Sequence, residues 1–345
     1  MGKMKKKIFL ILIFGLILLF FIYNELIIYG IRQGVGQLKI IINAEPIEVL
    51  LQKPEFPDSM KQKLLYIQEV RSFAVDSLGI NDTDNYTTYY DQEGKPVLWV
   101  VTACKPFALE PKEWTFPVLG SFSYKGYFDK DLAEAAAEQL KSEGWDTGVR
   151  TVSGWSTLGW FKDPILSEML NRNEGQLAEL IIHELTHATI YVKDSVNFNE
   201  NLASFIGELG AVKFLESWFG ESSPELIHYV NQEKDRNRFI GYILAATNQL
   251  DSLYQGFNEE MPEAEKEKSK EMLINQIRSN LDTVSFSNES TYRGFFDDYV
   301  PNNTFFMSYM RYHSKIDELK DLFYIKFDGD FERFLSYYKE KYPSL

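Results

Sequence analysis

Ile182-His183-Glu184-Leu185-Thr186-His187 places two of the chain's four histidines four residues apart, with a glutamate beside the first. On a helix this spacing puts both imidazoles on one face, within reach of a single zinc ion. Glu184 is then directed at the water that the metal would activate. The flanking residues are patterned to be helical. Leu177, Leu180, Ile181, Leu185 and Ala188 supply an apolar face, and Asn173 ahead of Glu174-Gly175-Gln176 has the form of a capped start. The bland alternative is a pair of histidines on a surface or core edge.

A catalytic zinc usually takes three protein ligands and keeps its fourth position for water or substrate. The metzincin extension needs glycine at position 190 and histidine at 193, and Ile190 and Lys193 exclude it. The other solution is a glutamate from a following helix. Phe198-Asn199-Glu200-Asn201-Leu202-Ala203 carries an Asn-Glu-x-x-Ala pattern that resembles the third-ligand segment of the gluzincin metallopeptidases. The resemblance implies Glu200 as third ligand, with Glu208 two turns on as the alternative. One Zn2+ per chain is expected; such a donor set accepts several divalent ions, and zinc is favoured by availability and precedent.

The run from Trp155 to Pro164, Trp-Ser-Thr-Leu-Gly-Trp-Phe-Lys-Asp-Pro, is followed by the His183 motif and by Val192 to Glu200. In that order these segments resemble the predicted aminopeptidase family of bacterial zinc peptidases. The match runs from about Gly30 to the C-terminus and includes Pro46-Ile47-Glu48 and Asn302-Asn303. It implies a gluzincin-like zinc site on zincin-like helices, and peptidase activity. The short path from His187 to Glu200 requires the connecting segment to turn back quickly. Amide hydrolysis would proceed without a covalent intermediate, Glu184 taking the proton and delivering it to the leaving amine. Tyr309, Tyr312 and His313 are candidate donors to the oxyanion, with Tyr309 and His313 preferred. The rival reading is that Phe305, Tyr309 and Tyr312 form a core stripe at helical spacing.

These residues need a scaffold, and the predicted fold class is α+β, mainly α, with a small β-sheet lobe. Periodicity predicts a helix from Lys61 to Leu78, stopped by Gly79, and another over Asp129–Gly144. Between them, Val97–Val101 and Phe122–Phe128 read as strands of a small mixed or antiparallel sheet. Within the second, Ser123–Tyr127 reads as a structural hairpin, or as an edge along which peptide lies. The Trp155–Trp160 loop reads equally as pocket lining or as a turn over the core. Beyond residue 174 the chain reads as successive helices, with Glu259–Glu271 a solvated charged face.

The amino terminus sets the compartment. Lys3, Lys5, Lys6 and Lys7 precede an apolar, uncharged run from Ile8 to Tyr23, resumed after Asn24-Glu25 by Leu26–Tyr29. With no small-residue cleavage site close behind, this predicts an uncleaved signal anchor. Residues 1–7 form a cytoplasmic tail, 8–29 a transmembrane helix, and 30–345 an extracytoplasmic unit made of an α/β lobe (30–170) and a helical lobe (171–345), on the periplasmic side of the inner membrane by the positive-inside bias. A net charge of −14 disfavours nucleic acid as a partner, and the single Cys104 excludes an intrachain disulfide and a thiolate cluster. The expected function is a membrane-anchored zinc metallopeptidase acting on peptides, an aminopeptidase by resemblance. An envelope endopeptidase and a non-catalytic zinc-stabilised envelope protein are the alternatives.

Overall fold

The computed structural model describes residues 2–116, 120–152, 162–193, 195–313 and 315–342, the side chains of 2–5, 8–22, 312 and 313 excepted. The chain divides into two compact units, Met1–Ala44 and Glu45–Leu345. The first is the helix α1 (Gly2–Asn43), whose helical geometry is interrupted at Tyr23 (φ −113°, ψ 19°). Among the described residues no helix is long and apolar enough to cross a membrane. The side chains of 8–22, on which the expected anchor rests, lie outside that description.

The second unit opens with β1 (Glu45–Pro46), α2 (Ile47–Gln52) and α3 (Asp58–Asp76). Then follow β2 (Thr88–Tyr90), β3 (Trp99–Cys104), β4 (Trp114–Phe116), β5 (Gly120–Phe122), β6 (Lys125–Tyr127), α4 (Lys130–Ser142), β7 (Asp146–Thr151) and β8 (Ile165–Leu166). The helical part comprises α5 (Glu174–Thr189), α6 (Val196–Phe219), α7 (Pro224–Gln255), α8 (Glu263–Leu281), α9 (Glu289–Tyr292), α10 (Asn303–His313), α11 (Ile316–Asp321) and α12 (Phe331–Lys341). The fold is mainly helical with small sheets, the α+β class expected.

Among the described residues the strands form three small sheets rather than the single one expected. β2 lies between antiparallel β1 and parallel β8, β3 lies between antiparallel β6 and β7, and β4 pairs with β5. The expected run Phe122–Phe128 is split between two of them. Phe122 pairs with Trp114 and Tyr127 with Trp99, and between them the Ser123 hydroxyl accepts a hydrogen bond from Arg311. The helix stops behave as expected. Gly79 (φ 72°) follows α3, and Gly144 (φ 87°) follows α4, which starts on the side chain of Asp129. The charged run is solvated over most of its length, but Lys270 is an exception. It is buried and paired with Asp146 of β7 at 2.8 Å, on the face of α8 that also buries Ile274, Ile277 and Leu281.

The largest core draws on Leu64 and Ile67 of α3, Ile181 of α5, Phe214 of α6 and Phe334 of α12. Burying each such side chain contributes about 1.5–3 kcal/mol, so this cluster fixes α3, α5 and α6 against one another. A second core joins α7, α8 and α10 through Phe239, Ile243, Ile277 and Phe306, and a third joins β3 to α4 through Val101 and Ala133.

Candidate metal centre

α5 begins where the sequence places it: the Asn173 side chain accepts a hydrogen bond from the Gln176 amide at 3.0 Å. Nine residues on, His183 and His187 share a face, their rings edge to face at 83° and their Nε2 atoms 3.2 Å apart. α6 runs back along α5. A Cβ on Gly207 would meet the Glu179 carbonyl oxygen at 3.0 Å and the His183 Cβ at 3.1 Å, and one on Gly210 would meet Leu78 at 2.9 Å. Only residues without a side chain permit this approach. It brings Glu200 Oε2 to 3.7 Å from His183 Nε2 and 3.8 Å from His187 Nε2.

The quick turn between the helices has a specific fastening. The Asn199 side chain donates to the Val192 carbonyl at 2.8 Å and accepts from the Val192 amide at 2.9 Å, closing the loop from both sides of one residue. Asn199 is buried, as are Asn201 and Glu184. Asn201 donates to the carbonyls of Asn197 and Arg311, both at 2.6 Å, and accepts from the Lys315 amide at 2.8 Å. The third-ligand position thus sits between two asparagines that anchor it in opposite directions.

Ligand atoms about 2.0–2.1 Å from a tetrahedral ion stand about 3.3 Å from each other. The three donors here fit such an arrangement, all lying within 4.8 Å of one another. Glu200 is too far from either imidazole for a good hydrogen bond, so the three polar atoms face a common centre. Two imidazoles and a carboxylate are a donor set suited to zinc.

The electrostatics divide the residues into roles. Burial drives the His187 imidazole down to about 4, against the pull of Glu200, so it is neutral and offers a lone pair at neutral pH. Burial also opposes charge on His183, but Glu200 and Glu184 outweigh it and lift the imidazole above its usual value. Glu200 is held below the usual carboxylate range: burial raises it, and His187, His183 and Arg311 more than compensate. Glu184 goes the other way. Burial raises its carboxyl to about 7, helped by Glu200 and Asp163 and opposed by His183 and Arg172. A carboxyl at that value can both take and return a proton near neutrality.

Behind the ligands lies a partly buried ion cluster. Glu179, one turn before His183, receives a two-pronged bond from Arg236 of α7 at 2.7 and 3.0 Å and a third from the Tyr229 hydroxyl at 3.0 Å. Arg236 also pairs with Glu233. Glu208 stands by this cluster, raising Tyr229 and Glu233, so Glu200 and not Glu208 meets the histidines.

A family model described as "Putative aminopeptidase" matches residues 28–341. The chain belongs to this family. For a member of the aminopeptidase family, the match covers both the strand-bearing half and the helices that carry His183, His187 and Glu200. No curated protein and no solved structure matches the chain.

The remaining candidates are dispersed. Tyr309 packs in the second core, its ring 5.1 Å from Phe305 and 5.8 Å from Phe239. The side chains of Tyr312 and His313, and the Trp155–Trp160 loop, lie outside the described residues. β6 is an edge strand, paired only with β3 among the described residues.

Asn302 and Asn303 have a positioning role. Asn302 donates to the Thr147 carbonyl at 2.8 Å and accepts from the Thr304 amide at 3.1 Å, and Asn303 donates to the Lys105 and Pro106 carbonyls at 2.8 and 3.1 Å. Together they fasten the start of α10 to β7 and to the end of β3. Sequence reasoning missed Arg311, Asp163 and Arg172 as charges acting on the site.

Proposed function

We propose that this aminopeptidase-family chain is a zinc metallopeptidase of the gluzincin type that removes residues from the free amino end of peptides. The convergence of His183, His187 and Glu200 on one point, with Glu184 adjoining, is the observation that carries the reading. A structural metal site has no use for a general base and normally closes its fourth position. Zinc, when bound, would polarise the scissile carbonyl and lower the pKa of water to about 7. Glu184 accepts the proton released in the attack and passes it to the departing amine. His183, His187 and Glu200 would hold the metal.

Of the two candidate oxyanion donors on α10, we favour His313, because Tyr309 packs in the second core. The N-terminal helix anchors the chain, with Lys3 to Lys7 in the cytoplasm and the larger unit on the periplasmic side; the lysine cluster ahead of the apolar run supports this orientation.

The test uses the full-length protein in detergent. Near one zinc per chain, with metal-dependent cleavage of unblocked but not N-blocked peptides, is the expected result. Cleavage of blocked peptides would make the protein an endopeptidase. Bound metal without turnover would leave a zinc-stabilised envelope protein.

A further inference from the structure

α6 starts poorly for a helix that carries a ligand in its second turn. Its N-cap, Ser195, makes no side-chain capping bond, and its first turn holds no acidic residue. A helix start without these supports frays, because its first amides have no intrahelical partners. The Asn199 clamp ties this start only back to the preceding loop, so Glu200 would share that motion unless something outside the α5–α6 hairpin held it.

Asn201 supplies the hold. Its side chain is fully buried, and both its donors and its acceptor are used. One donor returns to Asn197 within α6. The other donor and the acceptor cross to the Arg311 carbonyl at the end of α10 and the Lys315 amide at the start of α11. Arg311 in turn donates to Ser123 between β5 and β6, with its guanidinium 5.8 Å from the Tyr124 ring centroid. A chain of direct contacts therefore runs from the third-ligand position through α10 to the small sheets.

We propose that Asn201 is a positioning residue that couples the metal site to the end of α10. Occupation of the site by metal fixes Glu200, Asn201 transmits that order to Arg311 and Lys315, and the brace in turn raises metal affinity. This coupling rests on the metal-site reading above and goes beyond it, because it makes the α10–α11 segment part of the metal-binding equilibrium.

The experiment measures zinc affinity by competition with a chromophoric chelator, and hydrogen exchange at the Lys315 amide with and without zinc, on the full-length protein. Asn201→Asp keeps the shape and the acceptor for Lys315 but replaces the donating NH2 group by an accepting oxygen that faces the two carbonyls; Asn201→Ala removes all three bonds. Ser223→Ala, which removes the α7 cap bond to the Leu226 amide far from the ligands in sequence, is the control for general destabilisation.

The expected outcome is a loss of zinc affinity of about 10- to 100-fold in both Asn201 variants, the range of outer-shell effects, with the Ser223 variant unchanged. Zinc should slow exchange at Lys315 in the parent and not in the variants. Equal affinity in parent and variants, or a parent Lys315 amide indifferent to zinc, overturns the coupling alone. No zinc binding by the parent overturns both the coupling and the metal-site reading.

Discussion

Gly207 of α6 lies against His183 of α5, so closely that a methyl group there would sit 3.1 Å from the histidine Cβ. The absence of one side chain thus sets the distance between the helix with two candidate ligands and the helix with the third.

Gly207→Ala should therefore destabilise the protein even though alanine favours helix by about 0.8–1 kcal/mol. The backbone carbonyl of Glu179, 3.0 Å from the new Cβ, cannot swing away as a flexible side chain would. Overpacking costs about 1–3 kcal/mol and should win. Thermal melts and metal content check this together: both should fall, and a more stable variant with full metal content would refute the tight approach.

Glu184→Gln separates chemistry from binding. The amide nearly matches the carboxyl in shape but cannot accept the proton, so turnover should drop by about 10²- to 10⁴-fold while zinc content stays at the parent level. Turnover close to the parent's would remove Glu184 from its role.

Asn199→Ala opens the loop between the helices. It leaves the Val192 amide and carbonyl without their partner, at a cost of about 1–3 kcal/mol for each group left unsatisfied. Chemical denaturation should show the loss, and zinc binding should weaken because Glu200 follows immediately in the chain. A variant with parent-like stability and affinity would show that the turn closes without the clamp.

The Glu179–Arg236–Glu233 cluster gives a pH dependence of stability. Burial, with Glu179 adding to it and Arg236 opposing, raises the Glu233 carboxyl to about 8. A carboxyl with a raised folded-state pKa binds more protons folded than unfolded, so its stabilising contribution is full below its ordinary value near 4.5 and is lost as pH rises through about 8. Melting temperature should decline over that interval in the parent, and less steeply in Glu233→Gln. Parallel curves would assign the dependence to other groups.

What the sequence makes legible here is what is local. The His183–His187 spacing, the Asn173 cap and the Gly79 stop each depend on a few neighbouring residues, and helical geometry converts them directly into positions. Glu200 was readable because its segment carries a recognisable pattern close behind the histidines. Contacts between distant segments leave no such mark. Asn201 meets Arg311 and Lys315 across more than a hundred residues, and Glu179 meets Arg236 across two helices. The expected strand over Phe122–Phe128 is divided for a related reason: its alternation is sound locally, but its two ends pair with different partners, Phe122 with Trp114 and Tyr127 with Trp99.

All three candidate ligands fall within one helical hairpin, between His183 and Glu200, and closing so short a loop costs little chain entropy. A growing or refolding polypeptide therefore carries a complete donor set long before α10 exists. The brace through Asn201 arrives only with the last helices, so early in folding the hairpin would hold a metal weakly and release it readily. Firm retention of the ion would then mark a finished chain.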